Sequence, residues 1–190
     1  MYLSVRTYGV TQVWTIGHST REAAEFTQLL LDHEIQTLVD VRSFPSSRRF
    51  PQFNQQRLSH ELLELGVKYH HLPALGGRRS PNPDSHNTAW KNAGFRAYAD
   101  YMETPAFTEG VAELLEIASE TRTSIMCAEA LWWKCHRSLI ADYLKANGIA
   151  VTHILASGKA EIHPYTPAAK IVRGELSYRG LLDDLSEDLK

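Results

Sequence analysis

Strand alternates with helix five times along this chain. The pattern predicts an α/β fold, a single-domain and mostly parallel sheet of about five strands with helices on both faces. Three observations carry that expectation. Short apolar runs such as VWTI, TLVDV and TSIMC are separated by stretches with a helical period. The second of them is nearly all apolar, as befits a strand covered on both faces. The chain is 190 residues long and 43 % hydrophobic, enough to bury one core, and no repeat or low-complexity linker divides it.

Residues 13–16 form the first expected strand and end at Gly17-His18. Ser19 and Glu22 have capping-box spacing, which predicts a helix running through His33 with Phe26, Leu29 and Leu30 on one face. Residues 37–41 make the second strand, and a loop broken by Pro45 and Pro51 follows. Leu58, Leu62 and Leu65 keep a helical period, with Gly66 suited to the cap. Residues 67–72 form the third strand. The next segment, 73–94, is rich in Gly, Pro, Asn and Arg and reads as a long functional loop. Residues 95–102 are helical, and Thr104-Pro105 restarts a helix with Thr as cap and Pro in the first turn. The fourth strand is 123–127, the next helix 136–147, and the fifth strand 151–155. Residues 159–190 read as an extension packed on the outside, with a short helix over 176–189.

Charge and cysteine content narrow the class. A formal net charge of −2 argues against a general nucleic-acid coat or a membrane-surface protein. Two cysteines make no disulfide scaffold, and no N-terminal apolar run has signal-peptide or membrane length, so a cytoplasmic domain is expected. Residues 41–83 hold seven bases against two acids, which suggests a basic rim around an anion site.

Parallel sheets bind ligands beyond the carboxyl ends of their strands. Gly17, His18 and Ser19 follow the first strand, and Asp40, Arg42 and Ser43 end the second, with Arg48 further along the loop. His70 and His71 end the third and lead to Gly76, Gly77 and Arg78. Cys127 and Glu129 end the fourth, before Cys135-His136-Arg137 at a helix start. A thiol, an imidazole and a guanidinium at a helix N-terminus favour a thiolate or a bound anion. Catalytic candidates are therefore Cys127 or Cys135 as nucleophile, His136 or His18 as proton carrier and Asp40 as orienter. Arg42, Arg137 and their neighbours Ser19, Ser43, Arg48, Gly76, Gly77, Arg78 and Glu129 would bind the anion. The spacing C-x7-C-H matches no common zinc pattern, so no metal and no cofactor are expected. Of Trp90, Trp132 and Trp133, at least two are expected to close the core beneath long loops.

TIGHST, LVDVRSFPSSRRFPQFN, YHHLPALGGRR, FRAYADYMETPAF and MCAEA…CHRSLIADYL occur in this order over about residues 14–154. On these motifs the chain resembles the domain-of-unknown-function family 488. Many relatives carry a polar stretch before Cys-His-Arg, where this chain has Leu131-Trp132-Trp133. The resemblance implies a class and a site and names no reaction. The Asp-Val-Arg after the second strand and the strand–Cys–loop–Arg-Ser–helix unit are also similar to rhodanese-like domains, as an analogy of fold. Three functions follow as expectations: a cysteine-dependent enzyme acting on a phosphate- or sulfur-bearing substrate, a nucleotide or nucleic-acid binding module, or a redox-responsive protein without turnover. The expected partner is a small anionic ligand, with nucleic acid as the alternative and no membrane.

Overall fold

The computed structural model describes residues 9–180. Six strands form one sheet: β1 (Gln12–Gly17), β2 (Thr37–Asp40), β3 (Lys68–His71), β4 (Thr123–Cys127), β5 (Ala150–Ala156) and β6 (Lys159–Ile162), in the order β3-β2-β4-β1-β5-β6. The first five run parallel, and β6 pairs antiparallel with β5. The helices are α1 (Ala23–Asp32), α2 (Gln55–Glu64), α3 (Ala93–Met102), α4 (Pro105–Glu120) and α5 (Arg137–Ala146). Among the described residues no helix is long and apolar enough to cross a membrane.

Strand periodicity divides the core in two. Trp14, Ile16, Leu38 and Met126 point to one face, where Phe26, Leu29 and Leu30 of α1 and Leu58 and Leu62 of α2 cover them. Val13, Val39, Ile125 and Cys127 point to the other, beneath α3, α4 and α5. β1, β2 and β4 are therefore covered on both sides, which explains their apolar composition, whereas the edge strand β3 is partly exposed.

Two local expectations change. Ser19 does not cap α1: its φ is 49° and its amide donates to the Ala128 carbonyl at 2.7 Å, so the chain turns toward β4 before the helix begins at Ala23. Glu22 stands at the cap position without a side-chain cap bond. Thr104, by contrast, accepts from the Phe107 amide as expected. The second change concerns residues 176–177. They belong to a strand, β8 (Glu175–Ser177), which pairs with β7 (Lys170–Val172) in a separate hairpin. Residues 178–180 are not helical, and 181–189 of the expected helix lie outside the described residues.

Residues after β6 are tied into the core rather than laid over it. Asp142 of α5 is fully buried and accepts from the Thr166 amide (2.8 Å), the Thr166 hydroxyl (2.6 Å) and the Tyr178 hydroxyl (2.8 Å). His163 Nε2 lies 2.9 Å from Asp142 Oδ1, the oxygen that also accepts from the Thr166 amide. One carboxylate thus collects the chain from 163 to 178 onto α5. Asp142→Ala leaves four buried polar groups without their acceptor and is expected to cost about 3–5 kcal/mol. Urea unfolding measures this, and a loss below about 1 kcal/mol would contradict the assignment.

Candidate functional site

β1 and β4 are neighbours, but the chain leaves them in opposite directions. After β1 it crosses to α1 on one face, and after β4 it crosses to α5 on the other. This is a topological switch point, where open parallel sheets form a ligand crevice. Register sets which residues share that edge of the sheet. Thr15 lies beside Ile125 and His153, and Gly17 lies beside Cys127. By the period of two, Thr15, Gly17, Cys127 and His153 share the face that α5 covers.

The start of α5 delivers Cys135, His136 and Arg137 onto this row. His136 Nδ1 is 3.5 Å from Cys135 Sγ and 3.8 Å from Cys127 Sγ, and the three atoms lie within 4.8 Å of one another. These are the described residues that could hold a metal ion. Both cysteines are free and buried. A Cβ on Gly77 would sit 2.4 Å from His136 Nδ1, so only glycine allows the loop to back onto the ring. A Cβ on Gly17 would strike the Glu129 carbonyl and Arg137 Nη2. The guanidinium occupies the space that a side chain at 17 would need.

Arg137 is only 1 % exposed. Its Nη1 donates to Thr15 Oγ1 at 3.2 Å and its Nη2 to the Glu129 carbonyl, while Nε finds no acceptor. No carboxylate among the described residues lies within ion-pair distance of it. Buried charges require compensation, and the sulfurs beside it are the groups able to provide it. Burial opposes charge on Cys135, but the hydrogen bond donated by the Cys127 thiol, with His136 and Arg137, outweighs it and holds Cys135 well below the usual thiol range. The same hydrogen bond, together with burial, pushes Cys127 well above that range. The shared hydrogen bond thus favours charge on Cys135 over charge on Cys127.

Behind Arg137 runs a polar chain that sequence reasoning missed. Thr15 Oγ1 is 2.7 Å from His153 Nδ1, His153 Nε2 is 2.9 Å from His163 Nδ1, and His163 Nε2 reaches Asp142. Arg137 donates to Thr15 Oγ1, and the direction along the rest of the chain follows from the tautomers of His153 and His163. Trp132 stacks on His153 with ring centroids 4.4 Å apart and closes the chain from above. The available signal was a His inside an apolar strand (VTHILA) and an Asp inside an apolar helix segment (LIADYL).

Asp40 and Arg42 do not perform the expected roles. Arg42 Nε and Nη2 bind the Asp40 carboxylate, Nη2 also donates to the Phe53 carbonyl at 2.8 Å, and Nη1 lies 3.2 Å from His18 Nε2. Asp40 additionally accepts from the Tyr69 hydroxyl at 2.7 Å. It orients an arginine, not a histidine. His18 donates from Nδ1 to the Ser19 carbonyl (2.9 Å), and its other nitrogen faces the Arg42 cation, so it cannot act as a ready proton carrier. Of the remaining candidates, Arg48 and Arg78 are exposed, with Arg78 over the Phe44 ring. Gly76 packs against Ser43, whose buried hydroxyl has no protein partner. Glu129 contributes its carbonyl while its residue is exposed. His71 meets the Arg42 carbonyl at 2.9 Å, and His70 points outward. Trp90, packed on Phe95 and Tyr178, and Trp132 do close the core.

The fold and these contacts define a mostly parallel α/β protein with a buried cluster of two thiols and an imidazole at its switch point. Residues 22–144 match the family described as Domain of unknown function DUF488, and the chain belongs to that family. The match includes Asp40, Arg42, Cys127 and Cys135–Arg137, while Thr15, Gly17, His18 and His153 lie outside it. No curated protein and no solved structure matches the chain.

Two histidines here make stability depend on pH. Burial, then Arg42, lowers His18 to about 4, and burial, then His163 and Arg137, lowers His153 to about 2. Both folded values lie below the ordinary ~6.5 of the unfolded chain. Below ~6.5 the unfolded state takes up protons that the folded state refuses, so the stability present above ~6.5 is lost as pH falls toward about 4. Between pH 7 and 5 the expected loss is on the order of 2–4 kcal/mol, read from urea midpoints. A flat profile across that window would show that neither ring is held neutral.

Proposed function

We propose that the protein is a thiol enzyme acting on a sulfur-bearing electrophile, a disulfide or a close relative, with Cys135 attacking and Cys127 resolving. The observation that supports it is the cluster of two thiols and an imidazole within 4.8 Å, on whose sulfurs the buried Arg137 guanidinium, without a carboxylate partner among the described residues, acts electrostatically. A phosphate-binding role asks for open guanidinium edges. The Nη groups of Arg42 and Arg137 are already engaged by protein acceptors. The sulfur half of the sequence-based expectation is therefore the one carried forward.

The chemistry balances in two exchanges. The Cys135 thiolate attacks one sulfur of R–S–S–R′, a Cys135–S–S–R bond forms, and R′–S⁻ departs and takes a proton from water. Once the Cys135 charge is gone, His136 gives the Nδ1 proton it shared with that thiolate to solvent, and Nδ1, 3.8 Å from Cys127 Sγ, is then placed to take the Cys127 proton. Cys127 then attacks the Cys135 sulfur and releases R–S⁻, which leaves a Cys127–Cys135 disulfide. Two electrons pass from the cysteine pair to the substrate, and an external dithiol restores the pair.

Oxidised glutathione tests this assignment. Cys127→Ser should accumulate a mixed disulfide at Cys135, and wild type should proceed to the internal bridge. Cys135→Ser should react on the order of ten times more slowly at pH 7, because an ordinary thiol is only a few per cent ionised there. Intact-mass and peptide analysis reads all three. A mixed disulfide that forms first on Cys127 would overturn the order of attack.

A further inference from the structure

We infer that Cys127 Sγ, Cys135 Sγ and His136 Nδ1 together form a binding site for a thiophilic divalent ion of the zinc class. Two sulfurs and an imidazole nitrogen are the soft and borderline donors that such an ion selects. Their spacing suits it. An ion bound at about 2.3 Å from sulfur and about 2.1 Å from nitrogen, with tetrahedral angles, puts S and N roughly 3.6 Å apart. The two S···N separations are 3.5 and 3.8 Å, and all three atoms fall within 4.8 Å. Little rearrangement is needed to receive the ion.

The donors are also fixed before any ion arrives. Cys127 ends a buried strand in register with Gly17. Cys135 and His136 stand at the start of α5, with Gly77 against the ring and Tyr98 packed on it at 5.1 Å between centroids. His136 Nε2 is buried and has no protein partner, so the polar contacts of this ring are with the two sulfurs. Sequence spacing alone hid the site, because adjacent Cys and His seldom serve one ion. The third donor arrives across the sheet from β4.

Three protein donors leave a fourth position for water or an external thiol. Binding expels the Cys127 proton and occupies lone pairs on both sulfurs. Metal loading and disulfide exchange are then mutually exclusive, so the ion acts as a regulator of the site; this last consequence rests on the thiol reading above, and the binding itself does not.

Cobalt(II) titration of the reduced, metal-free full chain tests the inference. A thiolate-to-cobalt charge-transfer band saturating at one ion per chain, and its loss on adding zinc, is the expected result. Cys127→Ser, Cys135→Ser and His136→Ala should each weaken cobalt binding by about tenfold or more. Wild type needs no variant for a second reading: zinc should protect both cysteines from iodoacetamide. Absence of the band, a band unchanged in Cys127→Ser, or undiminished alkylation under zinc would overturn the site. Exchange with oxidised glutathione in metal-free protein that shows no cobalt band would remove the metal site alone. A cobalt band in protein that never exchanges would remove the thiol reading alone.

Discussion

The Arg137 guanidinium is a full positive charge placed where water scarcely reaches, and much of the molecule is arranged around it. Its Nη atoms tie the first turn of α5 to β1 through Thr15 and to the β4 loop through the Glu129 carbonyl. It needs Gly17, because any side chain there would occupy its space. It needs a polar floor, which the Thr15–His153–His163–Asp142 chain supplies. A buried cation without a carboxylate is costly unless another anion stands by. Burial disfavours charge on Cys135, but the Cys127 hydrogen bond, His136 and Arg137 together draw its thiol well below the usual range. That makes it the group proposed to balance the charge.

A second buried arginine shows how differently the same residue type can be used. Arg42 sits one strand away and is saturated by Asp40, Phe53 and His18. It braces the β2 end and the loop that follows, and its charge is already neutralised in place. Both arginines follow strand ends and look equivalent in sequence. A carboxylate two residues before Arg42 distinguishes them, since it pairs with Arg42 while no carboxylate among the described residues pairs with Arg137.

Much of the sheet was legible because burial on both faces writes itself into composition. VWTI, TLVDV and TSIMC are apolar since each strand is covered twice, and their places in the parallel sheet match the reading. Lys159–Ile162 escaped notice because an edge strand with exposed side chains needs no apolar pattern. The Ser19 cap failed for a related reason: a tertiary hydrogen bond to Ala128 took precedence over a local signal. The strand ends pointed to one edge of the sheet, where Gly17, Asp40, His71 and Cys127 end their strands. They could not say that Asp40 and Arg42 would pair with each other, nor that His153 and Asp142 would meet through His163, since those are facts of register and crossover.

The central claim is that Cys135 carries the charge that balances Arg137. Near-ultraviolet thiolate absorbance of the reduced, metal-free protein at neutral pH addresses it without any substrate. A thiolate band in wild type that persists in Cys127→Ser and vanishes in Cys135→Ser is the predicted result. Superposable spectra for wild type and Cys135→Ser would mean that the guanidinium is balanced in some other way, and the assignment of Cys135 as nucleophile would fall with it.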